Sequence, residues 1–189
     1  MTPTLYFDLG SPYAYLAVER AGSVLGTVPE LEPVLLGAIM KLRGRGSWAQ
    51  TPERDAGIAE IDRRAQRYGL PRIPWSPDWP ANGLAAMRAA TWAKQQGRVS
   101  EFATAVFRAQ FAGGGNITAL GVLAACAYRA GLSGEKLPEA IATAEIKDAL
   151  RAATQAAWDA GVRGVPTLRI GDALFFGDDQ LEAAAAQMA

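Results

Sequence analysis

The most constraining feature of the sequence is an apolar strand that leads directly into a helix near the start of the chain. Residues 5–9 are mostly apolar or aromatic, and Gly10 ends the run. Ser11 and Pro12 follow; serine is a favoured N-cap, and proline suits the first helical position. A helix N-terminus carries unpaired N–H groups and a partial positive charge, which favour an anion such as a thiolate. The junction therefore predicts Ser11 either as a helix cap alone or as part of an anion site.

Strand and helix patterns recur at both ends of the chain. Residues 31–36 form a second apolar run ended by Gly37, so the first 40 residues predict a βαβ unit with a right-handed crossover. Near the other end, a helix over residues 144–160 precedes strands at 167–170 and 173–176. The two-residue connection between these strands, with Gly171 first, predicts a tight hairpin. The pattern indicates an α/β fold.

Residues 41–143 separate these two units and show mainly helical spacing, enough for about five helices. A stiff loop at 73–80 contains three prolines and two tryptophans, and it either packs on its own indoles or forms the wall of a binding pocket. No flexible linker flanks the block. We therefore expect one domain made of residues 1–40 and 144–189, interrupted by a helical insert at 41–143.

The residue counts exclude several kinds of chemistry. The 189 residues include no histidine, which excludes Ser-His-Asp and Cys-His catalysis and leads us to expect no metal site. The single cysteine, Cys126, excludes an intrachain disulfide or redox pair, and its apolar helical surroundings indicate a core residue. Catalysis must then use other side chains, backbone N–H groups or a bound cofactor.

Charge and hydropathy restrict the expected partners. Nineteen basic residues balance nineteen acidic ones, so we expect no nucleic acid partner. No apolar run approaches the roughly 18 residues of a membrane span, and the first residues lack the pattern of a signal peptide. We expect a soluble, cytoplasmic protein with no membrane association.

The order of elements, with a proline just before the hairpin, resembles the thioredoxin layout. The sequence also resembles the 2-hydroxychromene-2-carboxylate isomerases and the related kappa-class glutathione transferases, which belong to the wider DsbA-like group. The resemblance covers nearly the whole chain. The motifs that carry it are Phe7-Asp8-Leu9-Gly10-Ser11-Pro12-Tyr13, Pro80-Ala81-Asn82, Ala105-Val106-Phe107-Arg108, Gly161-Val162-Arg163-Gly164-Val165-Pro166-Thr167 and Phe175-Phe176-Gly177-Asp178-Asp179-Gln180-Leu181.

The resemblance implies a thioredoxin-like fold with a helical insertion between the βαβ and αββα halves, and a cis peptide bond at Val165–Pro166 facing the first helix. Ser11 takes the place of the first cysteine of the DsbA-like oxidoreductases, where it would hydrogen-bond the sulfur of bound glutathione or another low-molecular-weight thiol. Val165 and Pro166 would contact the backbone of that thiol. Asp178 and Asp179 would hold its γ-glutamyl end, although both also have an interpretation as caps of the last helix.

The sequence departs from the family pattern in two places. The asparagine that commonly follows the second strand is absent from residues 46–50, where Trp48 or Gln50 is the candidate replacement. Gln180 stands where the family usually has an arginine, which removes a cation beside the site. No side chain is identified as a general base.

Aromatic residues are the candidates for a substrate pocket between the insert and the start of the first helix. Tryptophan supplies flat apolar area that suits an aromatic ligand. We expect Tyr13 to line this pocket together with Trp48, Trp75 and Trp79, or with at least two of these three tryptophans. A small aromatic compound would occupy it. We also expect the chain to form a homodimer.

Three functions stay open. The first is a glutathione-dependent cis–trans isomerase acting on 2-hydroxychromene-2-carboxylate or a similar aromatic pyruvate-type compound, with Ser11 stabilising the thiolate. The second is a kappa-like glutathione transferase or peroxidase that uses the same thiolate on other electrophiles. The third is a thioredoxin-like binding protein without catalytic activity.

Overall fold

The computed structural model describes residues 2–188, and within them four strands form one sheet. The helices and strands, in chain order, are β1 Thr4–Phe7, α1 Pro12–Leu25, β2 Glu30–Pro33, α2 Leu36–Leu42, α3 Arg54–Arg67, α4 Leu84–Gln95, α5 Val99–Phe107, α6 Leu120–Arg129, α7 Leu137–Ala140, α8 Ala144–Asp159, β3 Thr167–Ile170, β4 Ala173–Phe176 and α9 Leu181–Met188. The described residues also include 3₁₀ turns at Trp48–Gln50 and Asp178–Gln180 and a π-helix at Arg108–Ala112. No helix between residues 2 and 188 has the length and apolarity needed to cross a bilayer.

The sheet joins the two ends of the chain. Its order is β2-β1-β3-β4, with β1 and β2 parallel and the other neighbours antiparallel. Leu5 on β1 lies opposite Leu31 on β2 and Leu168 on β3, so β1 is the strand through which the βαβ half meets the hairpin. The predicted strands 167–170 and 173–176 match β3 and β4, and Gly171 between them has a φ of 59°.

The sheet is covered on both faces, because β1 places alternate side chains in two apolar clusters. Leu5 and Phe7 belong to the larger cluster, which also contains residues of α1, α4, α5 and α6. Tyr6 belongs to a smaller cluster on the other face with Val34 and residues of α8. This double burial explains why the strand reads as a nearly continuous apolar run.

The helical insert packs directly on this sheet. The Phe107 ring on α5 lies 6.0 Å from the Phe7 ring, and the N–H of Leu9 donates to the sulfur of Met87 on α4 at 3.1 Å. The insert thus shares one apolar core with the first strand and first helix. The predicted boundary at residue 40 falls inside α2, and the division of the chain at 41 and 143 stays a prediction.

The prediction of a second strand over residues 31–36 is wrong at its end, where the chain leaves the sheet at Pro33 and begins α2 at Leu36. No local side chain caps α2. Instead, the N–H of Leu36 donates to a carboxylate oxygen of Asp8 at 2.8 Å, and the N–H of Leu35 donates to the Thr154 hydroxyl at 3.0 Å. A helix whose start is held by distant residues leaves no N-cap signal in its own sequence.

Gly57 in α3 provides an explicit test of how the insert packs. A Cβ at this position would lie 2.1 Å from the Trp48 ring, whereas a Cβ at Gly121 in α6 would have no neighbour within 4 Å. We expect Gly57→Ala to lower the free energy of unfolding by about 1–2 kcal/mol, because overpacking outweighs the gain in helix propensity. The matched Gly121→Ala variant should keep or raise that free energy. Urea unfolding followed by circular dichroism measures both, and equal stabilisation of both variants would contradict the packing of Trp48 on Gly57.

Candidate functional site

The junction between β1 and α1 places Ser11 at the start of the first helix. Ser11 is the N-cap, with φ −91° and ψ 115°, and its Oγ accepts a hydrogen bond from the Ala14 N–H at 3.2 Å. Its own N–H donates to the carbonyl of Asp8 at 3.0 Å. The side chain is 4% exposed. Because the cap uses Oγ only as an acceptor, the hydroxyl proton is left to donate to a further group.

A cleft of about 1380 Å³ opens at this junction. It lies between the start of α1, the region from α2 to Gln50, the loop at 79–83 and the loops on either side of the β3–β4 hairpin. The structure brings eight of the nine predicted site residues to its wall: Ser11, Tyr13, Trp48, Trp79, Val165, Pro166, Asp178 and Asp179.

Trp75 is the exception and does not line the cleft, so two of the three candidate tryptophans reach its wall. It lies behind Trp79, with ring centroids 4.7 Å apart, and faces Phe111 at 6.2 Å. Its indole N–H donates to Asp62 on α3 at 2.9 Å. Trp75 lines a separate cavity of about 20 Å³ and supports the cleft wall from inside the insert.

The aromatic wall of the cleft consists of Tyr13, Trp48 and Trp79. The Tyr13 and Trp48 rings meet edge to face at 6.3 Å, and the Trp48 and Trp79 rings lie 5.6 Å apart. The indole N–H of Trp79 donates to the carbonyl of Gly10 at 3.3 Å, which ties this wall to the residue before Ser11. Gln50 also lines the cleft, so both candidate replacements for the missing asparagine reach it.

The loop before the β3–β4 hairpin contains backbone groups that have no hydrogen-bond partner in the described part of the chain. The Val165–Pro166 peptide bond is cis, as predicted. Pro166 accepts a hydrogen bond from the Gly177 N–H at 3.0 Å, whereas neither the N–H nor the carbonyl of Val165 pairs with another residue in the described part of the chain. An extended peptide in the cleft would find both groups of Val165 available.

The acidic pair at the far end of the cleft is not a pair of helix caps. Asp178 is fully buried and accepts hydrogen bonds from Arg64 Nη1 at 2.8 Å and from the Tyr68 hydroxyl at 3.0 Å. Burial raises the pKa of Asp178, while Arg64 and Tyr68 oppose that rise. Asp179 is about half exposed, and its Oδ2 lies 3.3 Å from Arg64 Nη1. Gly177 occupies the N-cap position of the following turn.

Arg64 is a site residue that the sequence did not indicate. It comes from α3, lines the cleft and contacts the Tyr13 ring, with its guanidinium carbon 5.5 Å from the ring centroid. Its sequence spacing predicts only the local ion pair with Glu60, which is present at 2.8 Å. Position 180 is a glutamine, and the cation beside the acidic pair comes from a helix more than a hundred residues earlier.

Asp8 is a second residue whose place is clear only in the fold. Its side chain is buried at the cleft, where Oδ1 accepts from the Gly10 N–H and Oδ2 from the Leu36 N–H, both at 2.8 Å. Burial raises the pKa of Asp8, and the two backbone hydrogen bonds oppose that rise. The only signal in the sequence is an ionisable residue within an apolar strand.

Basic side chains form part of the cleft rim on the α2 side. They are Lys41, Arg43, Arg45 and Arg163. Arg43 Nη1 donates to the carbonyl of Arg163 at 2.7 Å, which joins the end of α2 to the loop before the hairpin. These residues place positive charge on the cleft wall, although the whole chain has a formal net charge of zero.

The chain is similar to a known protein family and to a characterised isomerase. The profile of a family described as a DSBA-like thioredoxin domain matches residues 4–189. A 2-hydroxychromene-2-carboxylate isomerase from Sphingobium xenophagum is 27% identical over 194 residues, covering 96% of each chain. These matches confirm the predicted α/β, thioredoxin-like fold.

Two solved structures support the same fold. A 2-hydroxychromene-2-carboxylate isomerase superposes with a TM-score of 0.88 at 21% identity, covering all of this chain and 94% of that one. The cytosolic disulfide reductase DsbM from Pseudomonas aeruginosa, solved with GSH, gives a TM-score of 0.64 at 17% identity, covering 100% and 98% of the two chains.

Replacement of Asp8 tests its role in holding the junction. We expect Asp8→Ala to lower the free energy of unfolding by about 1–3 kcal/mol, because two partly buried N–H groups lose their acceptor. Asp8→Asn keeps one oxygen acceptor and should recover roughly half of that loss. Asp172→Ala, at the exposed tip of the hairpin, is the matched control and should change stability by less than about 0.5 kcal/mol. Equal stabilities for Asp8→Ala and the control would contradict the bridging role.

The aromatic wall makes a second prediction, which separates Trp48 from Trp75. We expect Trp48→Ala to weaken binding of a bicyclic aromatic carboxylate such as naphthoate by about 3- to 10-fold, the scale of one aromatic contact. Trp75→Phe should leave the affinity unchanged, because this ring lies behind the wall. Isothermal titration calorimetry measures both, and a larger loss for Trp75→Phe than for Trp48→Ala would contradict the placement of Trp48 in the ligand-binding wall.

Proposed function

Because the chain belongs to the DSBA-like thioredoxin domain family, we propose that it uses the thiol site of this fold for isomerisation. The proposed activity is a glutathione-dependent cis–trans isomerisation of 2-hydroxychromene-2-carboxylate or a similar aromatic pyruvate-type compound. The isomerase from Sphingobium xenophagum, similar over 96% of the chain, supports the reaction class. The GSH in the DsbM structure supports the choice of thiol.

One observation carries this proposal: a serine hydroxyl caps the first helix inside the cleft, beside a loop that carries the unpaired backbone groups of Val165. Ser11 Oγ accepts from Ala14, so its proton can be donated to a sulfur anion. The first N–H groups of α1 add the positive end of the helix dipole. Both effects favour the thiolate over the thiol, and the thiolate is the nucleophile.

The proposed reaction leaves glutathione unchanged. A 2-hydroxychromene first opens its hemiketal ring: the bond between C2 and the ring oxygen breaks, the 2-hydroxyl proton passes to the phenol oxygen, and a conjugated ketone forms. The thiolate then adds to the conjugated double bond, and the electron pair of that bond moves to the ketone oxygen as an enolate. The former double bond is now single and rotates. The enolate then returns its electron pair, the double bond re-forms in the other geometry, and the thiolate leaves. Atoms and electrons balance without an oxidant or reductant.

The cysteine content of the chain favours this isomerisation over dithiol exchange. Cys126 is the one cysteine in the sequence, and it is buried in α6. Burial raises the pKa of its thiol, which disfavours the reactive anion. A reaction in which glutathione supplies the thiolate and is released unchanged needs no cysteine of the protein.

The two sides of the cleft suit an aromatic carboxylate. Trp48 and Trp79 offer flat apolar surface, and the basic rim formed by α2 and Arg163 offers positive charge. Aromatic stacking and attraction of a carboxylate to arginine would hold the substrate with its double bond toward Ser11.

Substitutions of Ser11 separate a catalytic hydroxyl from a simple cap. We expect Ser11→Ala to lower the glutathione-dependent isomerisation rate by roughly 10²-fold, the scale for losing one preorganised donor to an anion. Its stability should fall by only about 1 kcal/mol, the cost of a lost N-cap. Ser11→Asp should fold normally, since aspartate also caps helices, but should lose activity because a carboxylate repels the thiolate.

The measurement is the absorbance change of the substrate at varied glutathione concentration, with thermal unfolding as the control for folding. A folded, fully active Ser11→Asp protein would end this mechanism. Accumulation of a stable thioether would instead support the transferase alternative. Glutathione binding without turnover of any conjugated substrate would support a binding protein.

A further inference from the structure

The inner cavity is the space of about 20 Å³ that lies behind the aromatic wall of the cleft. Its lining includes the apolar side chains of Trp75, Phe111 and Ile117. Trp79 lines both this cavity and the cleft, so one residue of the aromatic wall separates the two spaces. A molecule held in the inner cavity would therefore pack against the back of the cleft wall.

One polar side chain in the lining of the inner cavity lacks a hydrogen-bond partner. Gln110 lies in the π-helix Arg108–Ala112, lines the cavity and is 9% exposed. Its Oε1 is buried and accepts from no residue in the described part of the chain. Buried side-chain oxygens nearly always have a donor, because an unsatisfied one loses its hydration without compensation. Gln110 therefore indicates a bound donor.

The aromatic loop at 73–80 brings a second polar group to the same cavity. Ser76 lines the cavity, and its Oγ accepts from the Asp78 N–H at 3.3 Å. Because that contact uses the oxygen only as an acceptor, the hydroxyl proton is left to donate. The inner cavity thus has an acceptor on the π-helix and a donor on the loop.

The volume of the inner cavity restricts its occupant to one small molecule. A space of about 10–15 Å³ is enough for one water, which also needs polar partners in the cavity wall. At about 20 Å³, this cavity suits one water and no larger ligand. Water both donates and accepts, so it satisfies the Gln110 carboxamide and the Ser76 hydroxyl at once.

We propose that the inner cavity binds one structural water, which donates to Gln110 Oε1 and accepts from the Ser76 hydroxyl. This water connects the π-helix to the loop that carries Trp75 and Trp79, and it fixes that loop behind the cleft. Gln110 is therefore a positioning residue for the aromatic wall. The inference involves no thiol and no reaction, so its failure would leave the proposed isomerase intact.

A high-resolution crystal structure of the wild-type protein tests the site directly. We expect a water about 2.7–2.8 Å from Gln110 Oε1, the usual length of an O–H···O hydrogen bond. Gln110→Met has a similar shape but no carboxamide, so its structure should lose this water. Gln110→Glu keeps an oxygen acceptor and should retain the water.

Near-ultraviolet circular dichroism reports the packing of the tryptophans in solution. The Trp75 and Trp79 ring centroids are 4.7 Å apart, so a shift of the loop changes the signal of both rings. We expect Gln110→Met to change this signal and Gln110→Glu to restore it. Gln66→Met makes the same replacement at an exposed position of α3, outside the cleft and the inner cavity, and should keep the wild-type spectrum.

Several outcomes would overturn the inference. No water beside Gln110, in a wild-type structure that resolves other buried waters, would overturn the site. Retention of the water in Gln110→Met would show that other groups hold it. Loss of the water from Gln110→Met with an unchanged spectrum would overturn the positioning role. If Gln110→Met does not fold, the wild-type and Gln110→Glu structures still decide whether the site exists.

Discussion

The carboxylate of Asp8 is the interaction on which the site geometry depends. It lies at the end of the central strand β1 and accepts backbone hydrogen bonds from Gly10, just before the first helix, and from Leu36, at the start of α2. One side chain therefore sets the position of two walls of the cleft relative to the sheet. Without this acceptor, two partly buried N–H groups would lose their partner within the protein, which lowers the stability of both cleft walls.

The Arg64–Asp178 contact holds another part of the cleft wall in the same way. It connects α3 of the insert to the turn after β4, so the helical block and the sheet-forming half of the chain form the cleft together. Desolvation offsets much of the attraction in a buried ion pair, and such a pair contributes orientation more surely than stability. Here the contact keeps the Arg64 guanidinium at the cleft wall beside Asp179.

The fold of this protein does not by itself determine which reaction the cleft supports. The thioredoxin-like framework supplies a helix N-terminus facing a loop with free backbone groups, and that framework serves redox chemistry in relatives such as the disulfide reductase DsbM. The serine at the helix start and the lone buried cysteine are the residues on which we base the proposal that glutathione supplies the thiol instead. Function is therefore argued from the residues in the cleft, because one fold supports several reactions.

The sequence by itself determined the features that depend on neighbouring residues. Ser11 and Pro12 marked the helix start, Gly171 marked the hairpin, and the apolar run of β1 marked a strand buried on both faces, because caps, turns and burial periodicity are local. Only the tertiary structure decided that Trp48 lines the cleft while Trp75 lies behind it, since both fit an aromatic loop equally well. It also decided that α2 begins at Leu36 and that Arg64 restores the cation missing at Gln180. Those two features depend on side chains 28 and 114 residues away in the sequence, and no local pattern reports contacts of that range.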